Sequence, residues 1–241
     1  SNRRLDHVTE CQNFYNEDEH SFTNLSMSGL EKEYYGIEAG LDFKVASFLN
    51  FKAIGTISDA KNINNANVNY MLSKSAEVVK DYAYIKDMRE SGTPLTIGSL
   101  ALDFHKSGWF VNLNANWYDR IYLSYSPSYR YKSSLKNRDM LFNDEPLPGS
   151  VDQAKGHGGW MVDGSIGKSI RLKHGSLNFN LMVTNILNNR KIVSGGYEQS
   201  RSDYTLNKEN EAKDRVYKFS KNPKKYYVFG TNGMFQVSYR F

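Results

Sequence analysis

Absences narrow this sequence first. A single cysteine, Cys11, stands among 241 residues, so no internal disulfide is available and the redox compartment stays unspecified. No apolar run approaches the ~20 residues of a spanning helix, and mean hydropathy is -0.62. A helical membrane protein is thereby excluded. A β-barrel is not, because alternation halves the apparent hydrophobicity of every strand. No secretory signal opens the chain, and Ser1-Asn2 reads as a tag-cleavage scar or the start of a fragment.

Chemical signatures are missing as well. His7, Glu10 and Cys11 lie close together, but no second His or Cys pair stands at a ligand spacing, so no metal is expected. Gly156, Gly158 and Gly159 form no phosphate-binding pattern, and Ser165-Ile166-Gly167 lacks the context of a nucleophile elbow. Asp103 and His105 share a strand face, where a solvated polar pair explains them better than acid–base catalysis. Neither an enzyme nor a bound cofactor is expected. The 31 Lys and Arg against 26 Asp and Glu give a net charge of +5, yet the two signs are interleaved without a basic stripe. That pattern argues against nucleic acid and suits an anionic lipid surface equally well.

What is present is alternation. Phe235, Val237, Tyr239 and Phe241 fall on one face of a strand, and Met234, Gln236, Ser238 and Arg240 on the other. Upstream, Tyr35, Ile37, Ala39, Leu41, Phe43 and Val45 oppose Gly36, Glu38, Gly40, Asp42 and Lys44. A dry core does not accept Glu38, Asp42 and Lys44 in a row, so that face must be wet. Asn112, Asn114 and Asn116 pose the same problem against Trp109, Val111, Leu113, Ala115 and Trp117, as do Asn178 and Asn180 against Leu177, Phe179, Leu181 and Val183. These five asparagines are expected to line a water-filled or plugged lumen.

In order along the chain, residues 1–21 read as a loop remnant and a long strand runs from Phe22 to about Val45. Ser47 to Asn50 make a turn, and the alternation resumes at Phe51, Ala53, Gly55 and Ile57. Long polar loops are expected near 59–92, 125–158 and 188–224, the first with helical leanings over Ser75 to Arg89. Tight turns at Lys106-Ser107-Gly108 and Lys173-His174-Gly175 complete an antiparallel meander of about seven strands. Short turns at one end and long loops at the other match the organisation of outer-membrane barrels. An odd count is not that of a complete bacterial barrel, so the meander is expected to be unclosed and part of a larger structure.

Five segments carry a resemblance. They are Tyr34-Tyr35-Gly36-Ile37-Glu38; Thr93-Pro94-Leu95 followed by Ser99-Leu100; Trp109-Phe110 through Asn116-Trp117-Tyr118-Asp119; Val183-Thr184-Asn185-Ile186-Leu187-Asn188; and Tyr239-Arg240-Phe241. In their order and spacing over Phe22 to Phe241 they resemble the C-terminal barrel of TonB-dependent outer-membrane receptors. The resemblance implies a 22-strand barrel of which this chain holds the final strands, set in the cell outer membrane, with the plug domain lying outside this sequence. It also implies energised uptake of a nutrient such as a metal chelate, glycan or peptide. The partners it implies are outer-membrane lipid, TonB with the inner-membrane energising complex, and the barrel-assembly machinery, which would read Phe241. A surface lipoprotein is a further candidate partner.

Ligand contacts are expected in the loops, where Tyr82, Tyr84, Tyr129, Tyr131, Tyr197 and Tyr204 offer flat surfaces and Arg130 and Arg138 offer charge. The same tyrosines could instead pack the loops together. Two other functions fit the composition: a self-contained small outer-membrane barrel or adhesin, and a soluble β-rich module that binds a ligand between sheets.

Overall fold

A computed structural model describes residues 1–16, 21–73, 75, 77–198 and 223–241. The chain is all-β and antiparallel. Eight strands form its wall: β1 (Asn2–Asn16), β2 (Ser21–Ala46), β3 (Leu49–Asn62), then β6 (Thr96–Lys106), β7 (Trp109–Asp119), β10 (Gly159–Leu172), β11 (Gly175–Thr184) and β14 (Asn232–Arg240). The hairpin β4 (Ala66–Leu72) and β5 (Val78–Ala83) extends the sheet at the loop end, where β4 pairs with the first half of β2. Small additions at that end are a 3₁₀ turn (Pro127–Arg130), helix α1 (Lys132–Lys136), the two-residue strands β8 (Leu141–Phe142) and β9 (Glu145–Pro146), and the hairpin of β12 (Val193–Glu198) with β13 (Pro223–Tyr227).

Register keeps the two faces in phase across the wall. One row runs Phe43, Phe51, Leu102, Leu113, Gly164, Val183, Gly233 through seven strands. The neighbouring row on the opposite face runs Lys44, Asn50, Asp103, Asn112, Ser165, Met182, Met234. Because the side-chain period is two, a one-residue slip anywhere would exchange these faces. Ile54, Phe110, Met182 and Met234 interrupt the polar face without changing its character.

Among the described residues nothing covers either face of this wall. Ile37 is 78% exposed, Leu41 57%, Leu113 42% and Val237 51%, so the apolar rows do not converge on a globular centre. The sheet is not closed: among the described residues β14 pairs only with β11, and β1 only with β2.

Among the described residues the buried clusters lie at the loop end. Leu25, Met27 and Leu30 of β2, Ala66 and Val68 of β4, Ala83, Ile85, Met88 and Tyr131 make one buried cluster. Its position follows from a bulge. In β2 the buried side chains are Ser21, Thr23, Leu25 and Met27, then Leu30 and Lys32, so the phase changes by one at Gly29, whose φ is +70°. A left-handed residue is what a glycine-type bulge requires. The bulge aims the upper half of β2 into a packed cap on the side that carries the asparagines lower down.

Two expectations are corrected here. Residues 1–21, expected as a loop remnant, supply β1, which pairs with β2 from Asn2↔Tyr35 to Asn16↔Ser21. Its alternation was hidden by a bulge between Leu5 and Val8, with His7 at φ 55°; the second register shift, between Val8 and Glu10, has its extra residue in β2 at Gly29. The wall therefore has eight strands among the described residues, and the argument from an odd count falls; what speaks for an incomplete barrel is the pair of open edges. Residues 59–92, expected as a loop with a helix, instead continue β3 to Asn62 and form β4 and β5. The 3–4 spacing of Val78, Val79, Tyr82 and Ile85 is coincidental, because pairing with β4 determines the local structure.

The Gly29→Val variant forces a β-branched residue into the left-handed region, at a cost of about 1–3 kcal/mol. Amide exchange should accelerate at Leu25, Met27 and Val68 while β10 and β11 keep their protection. Unchanged exchange in the cap would show that the bulge does not hold it.

Candidate functional site

Two surfaces bear on function: the polar face of the wall and the cap above it. On the wall, Asn112 Nδ2 donates to Asp103, Ser165 Oγ donates to Asn112 Oδ1 at 3.2 Å, and Ser99 Oγ donates to Asn116 Oδ1 at 2.8 Å. Lys52 stands 3.6 Å from Asp103. Asp103 is thus held by Asn112 and Lys52 as part of a cross-strand polar ladder. Asn114 faces Ala101 and Asp163, Asn178 faces Ser169 and Ser238, and Asn180 faces Gly167 and Gln236. All five asparagines share this face.

Where the polar face meets the cap, Lys32 bridges two acids. Its ammonium contacts Glu10 of β1 and, at 2.7 Å, Glu90; the Tyr34 hydroxyl donates to Glu90 at 3.2 Å. The cluster ties β1, β2 and the segment before β6 together.

The cap is organised by one ion pair. Arg130 and Glu198 have side chains that are 0% exposed, and they meet through two parallel bonds of 2.6 and 2.8 Å. All five guanidinium N–H groups are engaged, because Nε donates to the Val151 carbonyl, Nη1 also to Ser126 and Nη2 also to Asp152. Glu198 in turn accepts the backbone N–H groups of Ser126 and Ala154 at 3.1 and 3.2 Å. A buried pair with every donor and acceptor matched is the arrangement in which desolvation is offset. It fastens residues 125–131, residues 150–154 and β12 into one body.

The sequence-derived ligand residues divide accordingly. Arg130 is a clasp inside the cap with no donor left for a ligand. Tyr131 is buried and stacks on Tyr70 at 5.3 Å and 14°; burial pushes its phenol well above the ordinary range. Tyr84 is buried and donates from its hydroxyl to the Asp144 carbonyl at 2.6 Å. Tyr129 is buried beneath the Arg138 guanidinium, 5.9 Å from its ring. As placed, these four hold the loops together rather than meet a ligand. Tyr82 and Tyr197 remain exposed. Tyr204 lies outside the described residues, as does most of the 188–224 loop.

Tyr197 has a neighbour that sequence reading did not single out. Tyr226 on β13 sits 6.3 Å from it ring to ring, with Lys224 Nζ within 6.0 Å of both rings. The signal was present in Gly195-Gly196-Tyr197, since Gly195 pairs with Tyr226 and Gly196 with Lys225. This exposed aromatic pair with a cation is the described surface best suited to a flat or anionic ligand.

Other features resolve structurally. A Cβ at Gly158 would lie 2.0 Å from the Tyr118 carbonyl oxygen, so this glycine permits close strand entry. Cys11 is a free, exposed thiol, and among the described residues no group of three His, Cys, Asp or Glu side chains is placed to hold a metal.

Arg130→Met leaves Glu198 buried and uncompensated, and should destabilise the cap by about 3–5 kcal/mol in urea unfolding; R130M/E198L should recover most of that loss. Equal loss in the single and double variants would deny the pair its role as a clasp.

No protein-family model, curated protein or solved structure matches the chain.

Proposed function

We propose that this chain is the C-terminal part of the wall of a TonB-dependent outer-membrane receptor, in which a larger, 22-strand barrel is completed by strands outside this sequence. The observation that carries the proposal is the two-faced sheet: an apolar face and a mainly polar face, in register over seven strands and neither covered among the described residues. In water the apolar face is unfavourable, because each Leu, Ile or Phe left exposed forgoes roughly 1.5–3 kcal/mol. In a bilayer the same face is solvated by hydrocarbon, and the asparagine face lines a wet interior.

Strand lengths support it. β6 and β7 have 11 residues, β11 has 10 and β14 has 9, close to the roughly 9–11 of a tilted strand crossing a membrane. The three short turns, at Ser47-Phe48, Ser107-Gly108 and Lys173-His174, lie at one end and the packed cap at the other. The open edges offer backbone groups that further strands would satisfy, as a barrel in lipid requires.

In this reading the chain binds and passes a nutrient without chemistry of its own. The ligand, of the class of a metal chelate, glycan or peptide, is met by the exposed cap surface around Tyr82, Tyr197 and Tyr226. It then passes along the polar wall once a plug moves. Energy arrives through TonB and the inner-membrane complex, and Phe241, exposed beyond β14, is the residue the barrel-assembly machinery would read.

The gene carrying this sequence is deleted and uptake of a labelled ferric chelate, an oligosaccharide and a peptide is followed. One uptake should be lost, the same uptake in the parent strain should stop with a protonophore, and the protein should sediment with outer membranes. Uptake that persists without the proton-motive force contradicts the proposal.

A further inference from the structure

β2 is paired on both sides in its loop half and on one side only in its turn half. β1 runs along one edge of β2 as far as Asn2↔Tyr35, while β3 pairs with the other edge from Lys32 to Ala46. The last bonds on the β1 side are reciprocal: the Ser1 amine donates to the Gly36 carbonyl at 2.8 Å, and the Gly36 N–H donates to the Ser1 carbonyl at 3.0 Å. In an antiparallel ladder such bonded pairs recur at every second residue. Glu38, Gly40, Asp42 and Lys44 therefore turn both backbone N–H and C=O toward the β1 side, where no strand meets them among the described residues.

This bare edge extends over roughly 20 Å at about 3.4 Å per residue, along the part of β2 whose apolar side chains Ile37, Leu41 and Phe43 are exposed. In hydrocarbon a row of backbone donors and acceptors has to be satisfied by protein. A lipid chain carries neither donors nor acceptors, and a packed helix or sheet face has its own already engaged. The chemistry of the edge therefore selects a strand.

We propose that the residues immediately preceding Ser1 in the intact protein continue β1 along Glu38 to Lys44, so that β1 and β2 pair from the cap to the turn end. The inference deepens the membrane reading above, on which the need for complete pairing rests. Continuity favours this segment over a second copy of the chain, because Ser1 already stands in register on this edge and the backbone leading into it needs no turn to stay aligned. The apolar side agrees: a trough of about 960 Å³ is bordered by Ser1 and Asn2 as well as by Tyr35, Ile37 and Ala39, and a continued β1 supplies the wall that it lacks on that side. Register then dictates a side-chain pattern. Counting back from Ser1, the first, third, fifth and seventh residues oppose Ile37, Ala39, Leu41 and Phe43 and should be apolar; the second, fourth, sixth and eighth oppose Glu38, Gly40, Asp42 and Lys44 and should be polar or small.

The sequence encoded just before Ser1 is the first check: a stretch without that alternation, or a protein that begins at Ser1, overturns the proposal. In the unaltered intact protein, amide exchange at Glu38, Gly40, Asp42 and Lys44 should be as slow as at their neighbours Ile37 and Leu41, which bond to β3. For a direct test, the intact protein with Cys11→Ser receives a cysteine at the third residue before Ser1 together with Ala39→Cys. The two form a non-hydrogen-bonded pair with Cα atoms about 4.5 Å apart, a separation that a disulfide spans. Oxidation in isolated outer membranes should join the two peptides within one molecule, as read by mass spectrometry after digestion. A cysteine at the second residue before Ser1 should join roughly tenfold less often, because it points to the other face. Fast exchange at the four amides, no intramolecular link, or a link to a second copy overturns the continued strand and leaves the receptor reading standing. Recovery of the protein from the soluble fraction overturns both.

Discussion

Phase is the constraint on which this structure depends. A strand has two faces, and hydrogen-bonded register decides whether the faces of successive strands agree. Here they agree from Phe43 on β2 to Gly233 on β14 on one side, and from Lys44 to Met234 on the other. A soluble sheet uses such agreement to pack one face under a second layer. No second layer covers either face of the wall among the described residues. The proposed membrane setting follows from that one agreement, and the open edges add the call for further strands.

The cap obeys the opposite logic. Gly29 changes the phase of β2 by one residue, and above it the side chains that point toward the polar side of the wall are Leu25 and Met27 instead of Glu38 and Asp42. With the β4–β5 hairpin and the 127–154 segment they make a dry core, and the Arg130–Glu198 pair binds its segments together. The described parts of the long connections are therefore a folded body rather than free arms. Fewer of their aromatic residues are left to meet a ligand, and Tyr197 with Tyr226 stands where such a contact is sterically open.

What was legible in the sequence follows from this division. The wall could be read because period-two alternation is strong in 35–45, 109–117, 177–183 and 235–241, and the shared face of the five asparagines followed from it. β1 was not legible, since a bulge puts Leu5 and Val8 out of step, nor was the cap, where tertiary pairing outweighed local pattern over 78–83. The alternation of Ala66, Val68, Tyr70 and Leu72 was there to be seen, masked by the polar residues between them. Candidate ligand residues fared worst for a physical reason: a tyrosine that packs a loop and a tyrosine that meets a sugar look alike until burial separates Tyr84, Tyr129 and Tyr131 from Tyr82 and Tyr197.

The three tryptophans, Trp109, Trp117 and Trp160, all lie on the apolar face, and Trp117 and Trp160 are direct cross-strand partners. Their fluorescence in bilayers containing brominated lipid tests the central claim most directly. If that face meets hydrocarbon, bromine should quench all three and aqueous iodide should leave them nearly unaffected. Strong iodide quenching with no effect of the brominated chains would contradict it.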